Sequence, residues 1–378
     1  MKLLKFNYNQ FKGTDQEWVL KDCSFDKFNL VVGKNSAGKS KTLNVIFNLA
    51  QGIAGRRNSQ HESEYEFLFE NDGNEIVYSV VKSSKAVESE IFKVNGRKLL
   101  TRNADGAGKI WAEKINQELD FQIPVFLSAV NAKRDKLQHS FLEPLIQWAE
   151  EVSIFRFGTD LGKNKLFIKS KDADQKFNDG EYSSEEEFPL KYFFIGKKEF
   201  NSNFIQAIVN DMRAIGFPLE DIDYGSPIYL RIDQPLGGEP VSIIFKEEKV
   251  NYKFDQYDVS QGMFRAFSLL SYTYYMRLKD TKSTLLIDDI GEGLDYERSK
   301  NLIKKIEEIC RDANFQVIMT SNDRYVMNAV DIKNWSIAVR GGQEIRFVNY
   351  QNSKGQFDDF TQLGLSNFDF FSGNFFEK

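Results

Sequence analysis

Residues 33–40 read Gly-Lys-Asn-Ser-Ala-Gly-Lys-Ser, a full match to the pattern G-x-x-x-x-G-K-[ST]. The flanking residues restrict what this stretch can be. Ahead of it, Phe28-Asn29-Leu30-Val31-Val32 is a short apolar run of the kind that forms a buried strand. After it, Leu43, Ile46, Phe47 and Ala50 recur at helical spacing. A strand, a glycine-bearing loop and a helix in that order place successive backbone N–H groups around an anion, with the positive end of the helix facing it. Gly33 and Gly38 let the backbone wrap close to phosphate oxygens. Lys39 is a point charge for β- and γ-phosphates, and the Ser40 hydroxyl would hold Mg²⁺. With Asn35, Ser36, Ala37 and Lys41 these residues make a candidate ATP-binding set. A plain glycine turn between a strand and a helix is the competing reading, and the flanking pattern disfavours it.

A chain of 378 residues fits two or three domains, or one domain with insertions. Its hydrophobic content of 41% supports a sizeable core, and 34 phenylalanines make that core aromatic. A net charge of −5 argues against a surface coated for nucleic acid, although a local basic groove stays compatible with it. Arg56-Arg57 and Lys133-Arg134 read as small solvated clusters. Two cysteines give no disulfide framework, and two histidines leave too few ligands for a zinc site and no triad pattern. No apolar stretch reaches membrane-spanning length, and the opening Met1-Lys2-Leu3-Leu4-Lys5 is too polar for a signal peptide. These features predict a soluble cytoplasmic protein with no membrane partner.

Along the chain, strand-like segments at 3–8, 18–20 and 28–32 precede the loop. Four short strands at 65–102, with turn signals at Asn71-Asp72-Gly73-Asn74 and Asn95-Gly96, predict an antiparallel β-layer. Residues 109–119 look helical, and the β-rich run 122–130 is expected to return the chain to the central sheet. Residues 139–152 and 200–215 read as helices, 169–187 as a loop or disordered insertion. Strands are expected at 228–232, 241–245 and 250–254, broken by Gly237-Gly238. The α/β rhythm resumes at Ser260 with helix 263–278, strand 284–287, amphipathic helix 296–311 and strand 316–319. There is no internal repeat and no long heptad run. The expected division is an N-terminal lobe at 1–132, a helical and β insertion at 133–258, a C-terminal lobe at 259–346 and a Phe-rich tail at 347–378. Phenylalanines on that polar tail read either as packing onto the body or as a docking site for a partner.

Two further segments carry chemistry. Leu285-Leu286-Ile287-Asp288-Asp289 is an apolar strand ending in two carboxylates, the place for a Mg²⁺ ligand in a chain with a phosphate loop. Asp288 fits the magnesium shell, and Asp289 is positioned to polarise an attacking water. Ser260-Gln261-Gly262 precedes a helix 28 residues before Asp288. It is a good helix cap, and with the helix N–H groups Ser260 and Gly262 can also bind a γ-phosphate. Lys39 and Ser40 already hold one side of the nucleotide, so this second site would approach from the other side, most simply from a second subunit.

Phosphate loop, Ser260-Gln261-Gly262, Asp288-Asp289, Gly293-Leu294-Asp295 and Thr320-Ser321-Asn322, in that order, resemble the ABC-type ATPases. The resemblance is to the RecF/SMC/OLD-like branch, whose members are described as AAA-type ATP-binding proteins. It implies an α/β P-loop head with an antiparallel β-layer and a helical insertion. It also implies a head-to-head dimer, with each ATP between Lys39 of one protomer and Ser260 of the other. The family's glutamine loop, a Mg²⁺ ligand, would fall on Gln138 or on Asn131. Relatives carry Glu where this chain has Asp289, and a switch histidine where it has Asn322, so slow or partner-gated hydrolysis is expected. Glu292, three residues past Asp289, is the alternative carboxylate. Standalone members imply an ATP-driven switch that controls an effector such as a nuclease or toxin in defence against phage. A RecF-like DNA-binding ATPase in DNA repair and a non-hydrolysing ATP-bound scaffold are the rival expectations.

Overall fold

The computed structural model describes residues 1–56, 61–165, 167–169, 188–228 and 238–377. Residues 170–187 of the loop expected at 169–187, most of the strand at 228–232, Gly237 and Arg57 lie outside the described residues, and Lys169 ends a strand instead of opening a loop.

Three strands open the chain, β1 (Lys2–Gln10), β2 (Trp18–Ser24) and β3 (Phe28–Val32), followed by α1 (Lys39–Ile53). A run of strands comes next: β4 (Ser63–Asn71), β5 (Asn74–Lys82), β6 (Val87–Val94), β7 (Arg97–Arg102), β8 (Ala107–Ala112) and β9 (Gln117–Gln122). Then come α2 (Ala129–Ala132), α3 (Glu143–Glu151), β10 (Ser153–Arg156), β11 (Phe167–Lys169) and α4 (Phe188–Ile215). The strands β12 (Leu219–Gly225), β13 (Glu239–Glu247) and β14 (Phe254–Asp255) lead to α5 (Gln261–Leu278), β15 (Thr284–Asp288) and α6 (Tyr296–Asp312). The chain closes with β16 (Gln316–Thr320), α7 (Arg324–Ala329), β17 (Trp335–Gly341), β18 (Glu344–Asn349), α8 (Lys354–Thr361) and α9 (Asn367–Ser372). By contacts the chain divides into two units. One holds Met1–Ile154, Lys282–Ile287 and Asn314–Lys378, and the other holds Phe155–Thr281 and Asp288–Ala313.

The first unit is built on one long sheet in the order β10-β15-β16-β3-β17-β18-β2-β1-β4-β5-β6-β7-β8-β9. Its α/β part is parallel: β15 pairs β16, β16 pairs β3, and β3 pairs β17, with Ile287, Met319 and Leu30 in one row. β3 and β16 are buried at every residue, as strands covered on both faces must be. From β1 onward the pairing is antiparallel and side chains alternate; in β5, Ile76, Tyr78 and Val80 point inward. The core is aromatic, as the composition predicts. Phe6 stacks on Phe67 at 4.7 Å, and Phe69 meets the edge of Trp148 at the same distance. The Trp148 indole N–H donates to Thr284 Oγ1 (2.9 Å), tying α3 to the sheet. Gln316 is a fully satisfied buried amide. Its nitrogen donates to the Leu3 and Asp26 carbonyls, and its oxygen accepts from the Leu3 N–H and the Thr284 hydroxyl.

Two expectations for this unit fail. Residues 109–119 are a hairpin of β8 and β9, not a helix, turning at Asn116 with φ 52°. Ile110 is buried while Ile115 is 50% exposed and Leu119 37%, so these residues share no buried helix face. Residues 122–130 do not return as a strand. Buried Arg102 donates to the carbonyls of Pro124 and Val125. Buried Glu90 accepts from the N–H groups of Ala129 and Val130. Side chains thus satisfy backbone that a strand ladder would otherwise have taken. The tail packs on the body: Phe357, Phe360, Phe370 and Phe376 are buried, and Asn367 donates to the Val330 carbonyl (2.8 Å).

In the second unit, β12, β13 and β14 pair antiparallel, with β11 on the other side of β13. The expected strand at 250–254 is reduced to the short bridge β14. Helix α4 is kinked at Asn201 (φ 52°, ψ −134°) and packs against α5, where Phe193 meets Phe267 at 5.1 Å. Asp211 of α4 accepts from the Tyr274 hydroxyl (2.5 Å) and pairs with Lys305 of α6 at 3.3 Å.

Candidate nucleotide-binding site

The glycines of the loop that follows β3 sit where a side chain would not fit. Gly38 takes φ +95°, a left-handed conformation open to glycine, and a Cβ there would overlap Ile345 Cδ1. A Cβ on Gly33 would lie 2.9 Å from the Ala338 carbonyl oxygen. Helix α1 begins at Lys39 with no side-chain cap on its N-terminus and no acidic residue in its first turn. The orphan N–H groups of that turn and the dipole therefore face outward at Ser40 and Lys41, which suits an anion. Lys39 is buried, and its Nζ donates to the carbonyls of Gly33 (3.0 Å) and Lys34 (3.3 Å). Lys41 Nζ sits 3.8 Å from the centre of the Trp18 ring. Burial, and then the neighbouring Arg340, hold its pKa below the usual lysine value.

Three further residues frame the loop. Asn322, the residue at the expected switch position, donates from Nδ2 to Asn35 Oδ1 at 2.8 Å. Arg340, which the sequence alone did not single out, donates to the Ser36 carbonyl at 3.0 Å. A cavity of about 490 Å³ opens beside this lip, lined by Lys34, Ser36, Ala37, Arg340, Phe371 and Asn374. Asn131 is committed elsewhere: its amide donates to the Gly52 and Ile53 carbonyls at the far end of α1, about 20 Å along the helix from the loop. Gln138 lies in the turn after Asp135, where its carbonyl accepts from the Glu113 N–H, and its side-chain oxygen is buried with no partner among the described residues.

β15, β16 and β3 run parallel with Ile287, Met319 and Leu30 in one row, and Asp288 is the last residue of β15. In the second unit, Asp289 adopts φ 54°, and the following turn runs through Gly291 and Gly293, both at positive φ. The Phe157 N–H donates to the Asp288 carbonyl at 2.9 Å. Ser260 caps α5, its Oγ accepting from the Met263 N–H at 3.2 Å, and it is exposed. Gly262 packs so tightly that a Cβ would overlap the Gly293 carbonyl. Among the described residues, no three His, Cys, Asp or Glu side chains group as a metal site. No helix among the described residues is long and apolar enough to cross a membrane.

A model of the family described as "AAA domain, putative AbiEii toxin, Type IV TA system" matches residues 154–328. Over 357 residues the chain is 21% identical to the DNA replication and repair protein RecF of Flavobacterium johnsoniae, covering 85% of this chain and 93% of that protein. An Smc head bound to the C-winged helix domain of ScpA superposes with a TM-score of 0.53 at 15% identity, covering 92% of this chain and 97% of that one. An Smc head domain with an extended coiled coil, bound to the C-terminal domain of ScpA from Pyrococcus furiosus, gives 0.52 at 13% identity over 95% and 99%. The fold is therefore similar to that of the Smc head, and the sequence carries a phosphate loop at residues 33–40 together with a match to this AAA family model over residues 154–328.

Proposed function

We infer that this chain is a slow, ATP-driven switch that closes as a dimer and controls a partner effector. The uncapped, glycine-shaped loop leading into α1 carries the reading. Lys39 would exchange its two loop carbonyls for β- and γ-phosphate oxygens. Ser40 and Asp288 would offer oxygens to Mg²⁺, which would neutralise charge on the phosphates; Gln138, held at the β8–β9 turn, does not support the ligand role the resemblance implied. Asp289 would orient and polarise the attacking water, and Ser260 and Gly262 would meet the γ-phosphate of the opposite protomer. ATP bound more tightly by the closed dimer than by the open monomer supplies the work.

Slow turnover follows from two side chains. Asp289 is one methylene shorter than glutamate, and Asn322 is an amide already bonded to Asn35, unable to take a proton. An anti-phage role is supported by the family description, which names a toxin of a type IV toxin–antitoxin system. The RecF relative favours a second reading, a DNA-binding ATPase in repair. The basic side chain of Arg134 gives that reading little help, since Glu143 and Glu150 already engage it. Salt-dependent DNA binding would separate the two.

Titration with a fluorescent ATP analogue, paired with phosphate release, tests the reading. Wild type should bind and turn over slowly, Lys39→Ala should lose binding, and Asp289→Ala should bind without turnover. Unchanged affinity in Lys39→Ala would refute the loop assignment. Tight binding without phosphate release in wild type would leave the scaffold.

A further inference from the structure

Five residues after Ser260, Arg265 points back along α5 and is almost fully buried. Its guanidinium makes three charge-assisted bonds of 2.9 Å each. Nε donates to the Thr159 carbonyl, Nη2 to the Gly158 carbonyl and Nη1 to the Glu292 carbonyl. The acceptors lie on two turns. One is 157–160; the other is the turn that leaves Asp289 and runs to Leu294. These turns are themselves joined by the bond from the Phe157 N–H to the Asp288 carbonyl. The glycines around the guanidinium leave no slack. A Cβ on Gly293 would lie 2.8 Å from Arg265 Nη1, and one on Gly158 would overlap the Glu292 carboxylate. The Thr159 carbonyl also accepts from Gln261, the residue beside Ser260 (3.2 Å). Burial lowers the guanidinium pKa, and Glu292 and Asp160 oppose the shift.

A buried cation that spends its donors on backbone carbonyls is an expensive way to hold a loop unless the position of that loop matters. We propose that Arg265 is a positioning residue of the ATPase cycle, fixing the turn that carries Asp289 to the helix end that carries Ser260. It acts through the carbonyls of the two turns. Its effect is to make the carboxylate and the serine cap one rigid body, so that a movement of either is felt by the other. This rests on the ATPase reading above and deepens it. Lysine keeps the charge but cannot span three carbonyls, so only the planar fork meets the requirement.

The test compares wild type, Arg265→Lys and Arg265→Met in full-length protein, each first checked for a cooperative thermal melt. Expected for both variants are an unchanged affinity of the monomer for the fluorescent ATP analogue, measured at protein dilutions too low for dimers, and a kcat lower by about a hundredfold, the size of a misplaced catalytic group. ATP-dependent dimerisation, followed by light scattering, should weaken in parallel. It replaces kcat as the readout if wild type turns over too slowly to compare. Folded variants with wild-type kcat and wild-type dimerisation would overturn the role of Arg265 and leave the ATPase reading standing. A wild type that neither binds ATP nor dimerises with it would overturn both. A weaker monomer affinity with kcat unchanged would also overturn the proposal, because it would place Arg265 in ground-state binding.

Discussion

Asn322 Nδ2 lies 2.8 Å from Asn35 Oδ1, so the residue after β16 is hydrogen-bonded directly to the phosphate loop. An amide cannot take a proton, so this contact can support the loop but not act as a base. Asn322→Ala should leave the fold intact and weaken ATP binding by up to about tenfold, the worth of one hydrogen bond of roughly 1 kcal/mol. Nucleotide titration checks this. Unchanged affinity would mean that the Asn322 contact does nothing for the loop.

Gly38 is the sharpest steric constraint at the site. Alanine there meets both a disfavoured φ of +95° and the Ile345 side chain. Gly38→Ala should lower stability by about 1–3 kcal/mol and reduce nucleotide affinity, as urea unfolding and titration would report. Wild-type stability in this variant would contradict the left-handed geometry.

Alkaline stability should depend on the tyrosines of the antiparallel layer. Burial pushes the Tyr8 hydroxyl up to about 12, while an unfolded tyrosine titrates near 10. Burial raises Tyr65 and Tyr78 as well. A raised folded-state pKa means that the native state holds its proton longer. The stabilisation is complete below pH about 10 and is lost as pH rises towards 12, by up to about 1.4 kcal/mol per pH unit for each tyrosine. Tyr8→Phe should flatten this decline. An identical slope in the variant would remove Tyr8 from the explanation.

The sequence was legible where a pattern was written in a single element. β3, the loop and α1 follow one another without interruption, so glycine placement and apolar spacing located them directly. The long, strongly amphipathic α6 was equally clear, with Asp295 capping it through the Arg298 N–H. Legibility failed where satisfaction of the backbone depended on distant side chains. Nothing near 122–130 announces that Arg102 and Glu90 will take its carbonyls and N–H groups. Edge strand β9 offers only Leu119 and Phe121 as an alternating pair, with Leu119 exposed, too short a pattern to mark a strand. At the site, Arg265 and Arg340 were missed for the same reason: each acts on carbonyls far away in sequence. A polar Arg on an otherwise buried helix face was the one available signal for Arg265.

Light scattering of the purified chain with and without ATP, for wild type and Ser260→Arg, is the most direct test of the switch. Ser260 is exposed, and its loss as a helix cap costs only about 1 kcal/mol, so the variant should stay folded. Wild type should double in mass when ATP is added, whereas Ser260→Arg should bind ATP and remain monomeric. A wild type whose mass ignores ATP, or a variant that dimerises as well as wild type, would contradict a dimer closed over nucleotide by the serine turn.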